Sequence, residues 1–349
     1  MPSPWVGGGH HNRVLRCGGR LVSGQIRDRL WSREGGRGLG EGRPTKLGIY
    51  ALLLTVVLVL GLNWPVMATG IQSITPIWMG VFRVTGAAIV VVTIGVARGK
   101  LAWPPRADLP VMISMAVFRL AAVFVLVFTA LQLVPPGRSS VVVWTTSLWT
   151  VPIAAIFLGE RMSGRRWLGL LLGIGGVIVV FEPWGFDWRS PGVALGHGLL
   201  VLAAITNAAT SVHIRGHRWT ITPLEAIPWQ LMGAAVLLVA LGLSVDGLPV
   251  IDWTPQLILV VLYQGVLATG IAFWAQIVIL RNLSAVSTNL TLMAVPVVGV
   301  VSSAILLGEE ITVALSIGLM LVVMGVAINL LSDKNKEEVG PPVVEGGVG

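Results

Sequence analysis

The sequence predicts an all-α polytopic membrane protein, with ten transmembrane helices arranged as two inverted five-helix repeats. Three observations lead to this fold class. Hydrophobic residues make up 54% of the 349 residues and charged residues only 11%, whereas soluble domains carry about 25% charged residues. Long apolar runs alternate with short polar gaps, and the basic residues fall in alternate gaps. Lipid can cover the apolar surface that such a chain has too few polar residues to shield.

The apolar runs are long enough to cross a bilayer. A helix needs roughly 20 apolar residues to span a hydrocarbon core of about 30 Å at about 1.5 Å per residue. Each gap between the runs holds the turn residues or charges expected at a membrane face, such as Pro135-Pro136-Gly137. The predicted spans are 47–70, 75–97, 109–132, 138–158, 164–181, 192–213, 223–244, 255–279, 285–307 and 312–331.

The placement of basic residues predicts the orientation of the chain. Nine of the 24 lysines and arginines lie in residues 1–46. With the N-terminus in the cytoplasm, the inner gaps and the C-terminal tail hold eleven more, and the outer gaps hold only Arg138 and Arg189. Cytoplasmic loops carry the excess of Lys and Arg in membrane proteins. We therefore expect a multi-pass protein of the cytoplasmic (inner or plasma) membrane with both termini cytoplasmic.

The same pattern divides the chain into five parts. Residues 1–46 are rich in Gly and Arg without a hydrophobic period, which predicts a disordered basic cytoplasmic tail. A start codon placed too far upstream is the alternative origin of this segment. Residues 47–181 form the first five-helix repeat, 182–191 a linker, 192–331 the second repeat, and 332–349 a cytoplasmic tail.

The two halves share sequence at a nearly constant offset. Thr75-Pro76 recurs as Thr222-Pro223 at an offset of 147, and Leu158-Gly159-Glu160 recurs as Leu307-Gly308-Glu309 at an offset of 149. Because each half has five spans, an odd number, the second copy must enter the membrane from the opposite side. Inverted repeats of this kind are typical of secondary transporters, in which one central site is exposed alternately to each side. Gene duplication without a transport role is the alternative.

These residues resemble the EamA-type ten-helix members of the drug/metabolite transporter superfamily over about residues 47–331. The resemblance is carried by the Leu-Gly-Glu box that ends the fourth helix of each half, and by the elements Gly169, Gly318, Asn63-Trp64, and Pro76 with Arg83. It implies a carrier for amino acids, other metabolites or drugs, often an exporter, with a central cavity between the halves. It does not specify the substrate.

One position departs from the family pattern. The family usually carries a proline thirteen residues before the box glutamate, and Pro296 fits that position in the second half. The first half has Ser147 there, while Pro152 sits closer to the box. The resemblance therefore predicts a kink in the ninth helix and leaves the kink of the fourth helix open.

Two arginines lie deep within predicted spans. Arg83 is about eight residues into the second span and Arg119 about ten into the third, which places both roughly 12–15 Å from a membrane face. A buried arginine costs at least about 2.5 kcal/mol on insertion scales, and no acidic residue lies at the same predicted depth. Carbonyls and hydroxyls could satisfy each guanidinium, or an anionic ligand could complete a site. We assign Arg83 to a structural or gating role and Arg119 to substrate binding.

Amides and indoles inside the spans complete the candidate site, since polar side chains at lipid depth normally face the protein interior. The predicted substrate-binding residues are Asn63, Trp64, Arg119, Trp149, Gln264 and Asn289. Some amides will only join helices, and deep indoles pack as often as they bind ligands. The predicted structural or gating residues are Arg83, Gln230, Glu160, Glu309 and Pro296, with the two box glutamates expected to cap helix ends.

Glycines on the fifth and tenth spans are predicted to mark a helix-packing face. They are Gly169, Gly173, Gly176, Gly318 and Gly325. Small residues allow two helices to approach closely. Such a face would serve either a homodimer contact or packing within one chain.

The sequence favours a secondary transporter that moves a small metabolite, an amino acid or related carboxylate-bearing solute, by alternating access. An exporter of drugs or of neutral or cationic metabolites is the alternative, and a non-transporting receptor or scaffold is the alternative from another class. No nucleotide, hydrolase or metal motif is present in the sequence, so we expect no cofactor, no enzymatic activity and no nucleic-acid partner. Membrane lipid and a small-molecule substrate are the expected partners, and coupling to protons or to exchange stays open.

Overall fold

The structure is a computed structural model. It describes the backbone of residues 46–97, 101, 103–159, 162–182, 191–221, 223–249, 251–283 and 285–338. Within these ranges, the side chains of 46, 191, 223, 224, 273, 274, 277, 280, 281, 285–287, 290 and 332–338 are not described. Residues 1–45 of the predicted N-terminal tail, the linker residues 183–190, Glu160 and residues 339–349 of the predicted C-terminal tail lie outside the described residues.

The described part of the chain folds into helices and turns without strands. Seven helices follow the predicted spans closely: α1 Lys46–Gly70, α2 Pro76–Ala97, α3 Leu109–Ala130, α4 Pro136–Leu158, α5 Gly164–Phe181, α6 Pro191–Gly216 and α7 Pro223–Val245. Three more complete the second half: α8 from Pro255 to Asn282, α9 from Ala285 to Leu307, and α10 Val313–Glu338. The predicted fold class, an all-α polytopic membrane protein, is confirmed.

Among the described residues, eight helices are long and apolar enough to cross a membrane by themselves. The other two predicted spans contain the shorter apolar stretches Pro255–Ile271 and Ala294–Leu307. Large apolar side chains such as Ile156, Phe157 and Ile305 are about three-quarters exposed. A lipid environment accepts such side chains, because helices that satisfy their own backbone can present apolar surface to hydrocarbon.

Helix α9 is interrupted at Met293, between the segments Ala285–Leu292 and Ala294–Leu307. Pro296 follows this break and cannot donate a backbone hydrogen bond to the carbonyl of Leu292, four residues earlier. Helix α4 breaks at the equivalent point, Thr145, between Pro136–Trp144 and Thr146–Leu158. The kink that the sequence left open in the first half is therefore present.

Hydroxyl groups accompany the break of α4, where the second half has a proline. Thr145 Oγ1 donates to the carbonyl of Val142 at 2.6 Å, and Thr146 Oγ1 donates to that of Val143 at 2.8 Å. Threonine side chains that bond nearby carbonyls compete with the helical ladder and bend helices. Two different local chemistries thus accompany the same kink in the two halves.

The helix packing reproduces the two inverted five-helix repeats. Helix α2 packs on α7, α4 on α9, and α5 on α10, so equivalent helices of the two halves are neighbours. The contact of α1 with α9 is mirrored by that of α6 with α4, and the contact of α2 with α8 by that of α7 with α3. Because each half has an odd number of helices, these equivalent contacts relate two oppositely directed copies.

The glycines predicted to pack helices face one another within the chain. A Cβ added at Gly169 would lie 2.7 Å from the carbonyl oxygen of Gly325, and one added at Gly176 would lie 2.8 Å from that of Gly318. At Gly173 the same atom would overlap Leu148. The backbones of α5 and α10 therefore approach as closely as small residues permit.

Equivalent helices also carry equivalent irregularities. The middle of α3 is a π-helical turn, Met115–Ala122, and the middle of α8 is another, Tyr263–Ile271. π-Helical insertions occur frequently at functional sites, because the extra residue re-aims the side chains of one turn. Within the second turn, Gly265 of α8 crosses Gly86 of α2 so closely that a Cβ on Gly265 would lie 3.0 Å from the Gly86 Cα.

Candidate functional site

A cavity of about 260 Å³ lies between the helices, next to both π-helical turns. Its polar lining residues come from five helices: Asn63 and Trp64 (α1), Arg83 (α2), Arg119 (α3), Asn207 (α6), and Thr269 and Gln276 (α8). Leucine, valine, alanine, methionine and phenylalanine side chains form the remaining walls. An apolar pocket with a few convergent polar groups is the usual form of a small-molecule site. We call this space the central cavity.

Arg83 is buried, with 7% of its surface exposed, and amide oxygens surround its guanidinium. Its Nη1 donates to Gln264 Oε1, and to Asn63 Oδ1 at 3.5 Å. Its guanidinium carbon also lies 4.6 Å from the ring centroid of Phe124, a cation–π contact. Among the described residues no carboxylate pairs with Arg83, so neutral groups alone hold its charge.

Arg119 projects from the π-helical turn of α3 and is half-buried at the cavity wall. Its Nη1 donates to Ser211 Oγ at 3.0 Å, and Ser211 Oγ donates in turn to the carbonyl of Asn207 at 2.8 Å. In the described part of the chain no acidic group contacts this guanidinium either. A hydroxyl oxygen leaves the positive charge of Arg119 uncompensated, so the cavity wall carries two cations.

Three buried polar atoms near the cavity lack a protein partner among the described residues. They are Nε of Arg83, Nε2 of Gln264 and Oδ1 of Asn207. Buried polar groups are nearly always hydrogen-bonded in folded proteins. Two orphaned donors and one orphaned acceptor therefore give this region unused capacity to bind a polar solute.

The structure brings together three of the six predicted substrate-binding residues, since Asn63, Trp64 and Arg119 all line the central cavity. Gln264 is fully buried beside it and binds Arg83. Trp149 lies at the break of α4, where its indole N–H donates to Thr145 Oγ1 at 3.2 Å. Asn289 is exposed on the first segment of α9. Neither Trp149 nor Asn289 lines the cavity.

The residues with predicted structural or gating roles occupy different places. Arg83 lines the central cavity, and Gln230, at the equivalent repeat position of α7, is buried outside its lining. Pro296 is buried just after the break of α9, and its carbonyl accepts Ser140 Oγ at 3.4 Å. Glu160 lies outside the described residues.

Glu309 caps a helix of the other half. Its carboxylate accepts the backbone N–H groups of Gly137 at 2.8 Å and Arg138 at 3.3 Å, at the start of α4. Burial raises the pKa of Glu309 above its ordinary value, although these two N–H groups and the charge of Arg138 act in the opposite direction. The helix-capping role expected of the box glutamate thus joins the end of α9 to the beginning of α4.

Asp108 makes the corresponding connection at the other face. It precedes α3, is fully buried, and accepts Thr220 Oγ1 at 2.5 Å, His217 Nε2 at 2.8 Å and the backbone N–H of Ile221 at 3.2 Å. Burial alone would raise the pKa of Asp108, but the hydrogen bonds from Thr220, His217 and Ile221 outweigh it and hold that pKa below its ordinary value.

Sequence reasoning missed several residues of the site. Asn207 and Gln276 are amides within predicted spans and could have been selected on that signal alone. Ser211, Thr269 and Phe124 have no distinguishing sequence signal, because serine, threonine and phenylalanine are ordinary residues of apolar helices. Only the packing of α2, α3, α6 and α8 places them beside the two arginines.

Comparison with known proteins agrees with this architecture. The model of the EamA-like transporter family matches residues 47–182 and 194–331. A crystal structure of 23% sequence identity superposes with a TM-score of 0.59, covering 84% of this chain and 100% of the other, which supports the fold alone.

Curated relatives are named as transporters. The chain is 26% identical to the uncharacterized transporter YoaV of Bacillus subtilis (79% of this chain, 94% of the relative). It is 28% identical to a probable amino-acid metabolite efflux pump of Escherichia coli (82% and 95%), and 27% identical to a probable terminal-alkyne amino-acid exporter of Streptantibioticus cattleyicolor (75% and 86%). The two matched repeats, which together cover most of the chain, establish that this protein is a membrane transporter that belongs to the EamA-like transporter family.

Proposed function

We propose that this transporter exports a small carboxylate-bearing metabolite, an amino acid or a close relative, by alternating access at the central cavity. One observation carries the proposal: Arg83 and Arg119 line the same cavity, and no described lining residue is acidic. Guanidinium groups bind carboxylates through strong, directional, charge-assisted hydrogen bonds. A cationic solute would meet two like charges in a region of low dielectric constant, which disfavours it.

Arg119 is the better candidate for the direct carboxylate contact. Gln264, Asn63 and Phe124 already surround Arg83, whereas Arg119 has one neutral hydroxyl partner. A carboxylate that binds Arg119 therefore displaces fewer existing contacts than one that binds Arg83. We assign Arg83 the supporting role of keeping the cavity positive.

An amino group could be recognised nearby. The Oδ1 of Asn207 is buried without a protein partner in the described chain, and the Asn207 carbonyl is linked to Arg119 through Ser211. A hydrogen-bond acceptor on Asn207, which is linked to the Arg119 guanidinium through Ser211, suits a solute that carries an amine close to a carboxylate. The indole of Trp64 provides an apolar wall. The names of two relatives, a probable amino-acid metabolite efflux pump and a probable terminal-alkyne amino-acid exporter, agree with this class.

The first experiment is thermal unfolding of the purified protein with amino acids, organic acids, sugars and cationic drugs. A bound ligand stabilises the folded state by mass action, so a stabilising compound identifies the chemical class. Hits are then tested for efflux from proteoliposomes. Saturable efflux of a carboxylate solute supports the proposal. Stabilisation by cationic drugs only would favour the drug-exporter alternative, and no saturable flux of any compound would favour a receptor or scaffold.

Variants of Arg119 test the assigned contact. Arg119→Ala should lower the affinity for the carboxylate hit, obtained from the concentration dependence of its stabilisation, about 10- to 100-fold, because a hydrogen bond to a charged group contributes roughly 1.5–3 kcal/mol. Arg119→Lys should retain part of the affinity, since it keeps the charge but loses the planar fork. Arg106→Ala is the matched control, an exposed arginine before α3. Unchanged affinity in Arg119→Ala would remove this residue from the site.

The proposal includes the location and the orientation that the charge pattern predicts. The protein lies in the cytoplasmic membrane, and both of its termini face the cytoplasm. It leaves the energy source to be measured. Efflux that stops when a protonophore dissipates the proton gradient would indicate proton coupling. Efflux that requires an external solute instead would indicate exchange.

A further inference from the structure

A second cavity, of about 610 Å³, opens at the ends of α1 and α3. Its lining includes Ile71 and Gln72 after α1, Leu131 and Gln132 after α3, and Leu307 at the end of α9. Its described lining is neutral, with two glutamines as the polar side chains. The charge pattern predicts that these turns face the outside. We call this space the outer vestibule.

The two cavities follow one another along the same helices. On α1, Met67 lines the central cavity and the next residue, Ala68, lines the outer vestibule. Val127 of α3 lines the central cavity, and Leu131, the first residue after α3, lines the vestibule. Four residues of a helix rise about 6 Å, so roughly one layer of side chains separates the two spaces.

That layer is apolar and closely packed. Met67, Val127 and Leu131 are 3%, 5% and 7% exposed and belong to one contiguous hydrophobic cluster, which also contains the fully buried Phe128. Apolar constrictions block the passage of ions and polar solutes by excluding water. The layer therefore has the composition of a closed gate.

One member of the layer also contacts the binding site. Nη1 of Arg83, which lines the central cavity, donates to the Met67 sulfur at 3.3 Å. A thioether sulfur is a weak acceptor, whereas a carboxylate forms a short and strong hydrogen bond with a guanidinium. An anion that approaches Arg83 would compete with Met67 for the same N–H group.

We propose that Met67, Val127 and Leu131 form the outer gate of the transport path, and that the outer vestibule receives the solute after it passes the gate. Arg83 couples the two spaces, because a carboxylate held by Arg119 in the same cavity also attracts the Arg83 guanidinium, and the N–H group that turns toward it releases Met67 and loosens the layer. The coupling rests on the proposed anionic solute, whereas the position of the gate does not depend on the solute.

Cysteine accessibility tests the position of the gate without any solute. Cys17 is the only cysteine of the chain, so Cys17→Ser provides a cysteine-free background. Val123→Cys reports on the central cavity, Gln132→Cys on the vestibule, and Leu248→Cys, an exposed position after α7, marks the predicted outer face. A membrane-impermeant thiol reagent is applied to right-side-out and inside-out vesicles. The membrane side from which the reagent labels Leu248→Cys is taken as the outer side.

From the outer side, Gln132→Cys should react with the reagent about as fast as Leu248→Cys. Val123→Cys should react at least about tenfold more slowly. Met67→Ala or Leu131→Ala should raise the labelling of Val123→Cys by about tenfold, because a truncated layer admits water, while Met67→Leu should not. Fast labelling of Val123→Cys with the layer intact would overturn the gate. Labelling that neither alanine variant changes would also overturn it.

The coupling is tested with sodium acetate against sodium chloride at equal ionic strength. Acetate should increase the labelling of Val123→Cys from the outer side in the protein with Met67. It should have no effect in Met67→Leu, which fills the same space without the sulfur acceptor. An equal effect of acetate in both proteins, or none in either, contradicts the coupling. If the labelling rates agree with the gate but acetate has no effect that depends on Met67, the position of the gate stands and the result counts against the anionic solute.

Discussion

The carboxylate of Glu309 accepts the backbone N–H of Gly137 at 2.8 Å, although the two residues lie 172 positions apart along the chain and belong to different halves. Glu309 follows the end of α9, and Gly137 is the second residue of α4. The first N–H groups of a helix have no partner within the helix, so a carboxylate placed there satisfies them. A motif that repeats along the sequence thus joins one half to the other.

Removing this cap should destabilise the protein measurably. Glu309→Ala leaves the N–H groups of Gly137 and Arg138 without their acceptor, and loss of such a cap costs about 1 kcal/mol. Thermal unfolding in detergent measures the change. Glu310→Ala, an exposed neighbouring glutamate, is the control and should unfold like the unmodified protein. Equal stability of both variants would show that the cap contributes nothing.

The contribution of Glu309 should depend on pH. Because the folded pKa is raised, the folded state binds the proton more tightly than the unfolded chain does. The stabilisation linked to this group is then complete below the ordinary glutamate pKa and is lost as the pH rises through the folded value. Glu309→Gln should flatten that part of the curve. A curve unchanged in Glu309→Gln would contradict the assignment.

Asp108 should show the opposite sign. Its folded pKa lies below the ordinary value, so its stabilisation is present above that value and is lost as the pH falls through the folded pKa. Asp108→Ala leaves the N–H groups of Thr220 and Ile221 unsatisfied and should cost about 2–3 kcal/mol. Unfolding curves at neutral and acid pH measure both effects.

Asp246 offers a matched comparison for Asp108. It is an exposed carboxylate that accepts Thr75 Oγ1 at 2.5 Å, and it also joins the two halves. A single exposed contact contributes little, so Asp246→Ala should cost less than about 1 kcal/mol. If both variants lost the same stability, burial would not explain the importance of Asp108.

Two adjacent glycines of α5 should respond differently to the same substitution. A Cβ on Gly176 would lie 2.8 Å from the carbonyl oxygen of Gly318, whereas nothing lies within 4 Å of one on Gly175. Gly176→Ala should destabilise by about 1–3 kcal/mol through overpacking of α10. Gly175→Ala should be neutral or slightly stabilising, since alanine favours helix more than glycine. Thermal unfolding compares them, and identical midpoints would contradict the observed packing.

The break in α4 should tolerate a proline at Ser147. This residue lies in the first turn after the break, where backbone N–H groups need no partner within the helix. Ser147→Pro should therefore change stability by less than about 1 kcal/mol. Ala154→Pro, in the buried interior of the same segment, should cost about 3 kcal/mol or more. Comparable losses in both variants would show that α4 is continuous through Thr145.

Sequence alone determined the class, the number and order of the helices, and the two-half organisation. These properties depend on hydrophobic length, on turn residues and on a repeated offset, all of which are local along the chain. The predicted span 164–181 coincides with α5, and the box glutamate was expected at a helix end for the same reason. Two of the site residues, Arg83 and Arg119, were also identifiable, because a charge at lipid depth is conspicuous in any sequence.

Only the tertiary structure decided which polar residues meet. Gln264 and Trp149 looked equivalent along the sequence, yet Gln264 binds Arg83, whereas Trp149 bonds to Thr145 at the break of α4. Ser211 became the partner of Arg119 through the packing of α6 on α3. Hydropathy records the depth of a residue, but not the direction in which its side chain points around the helix axis. That direction is set by the π-helical turns and by the close glycine crossings, and these depend on contacts between the two halves.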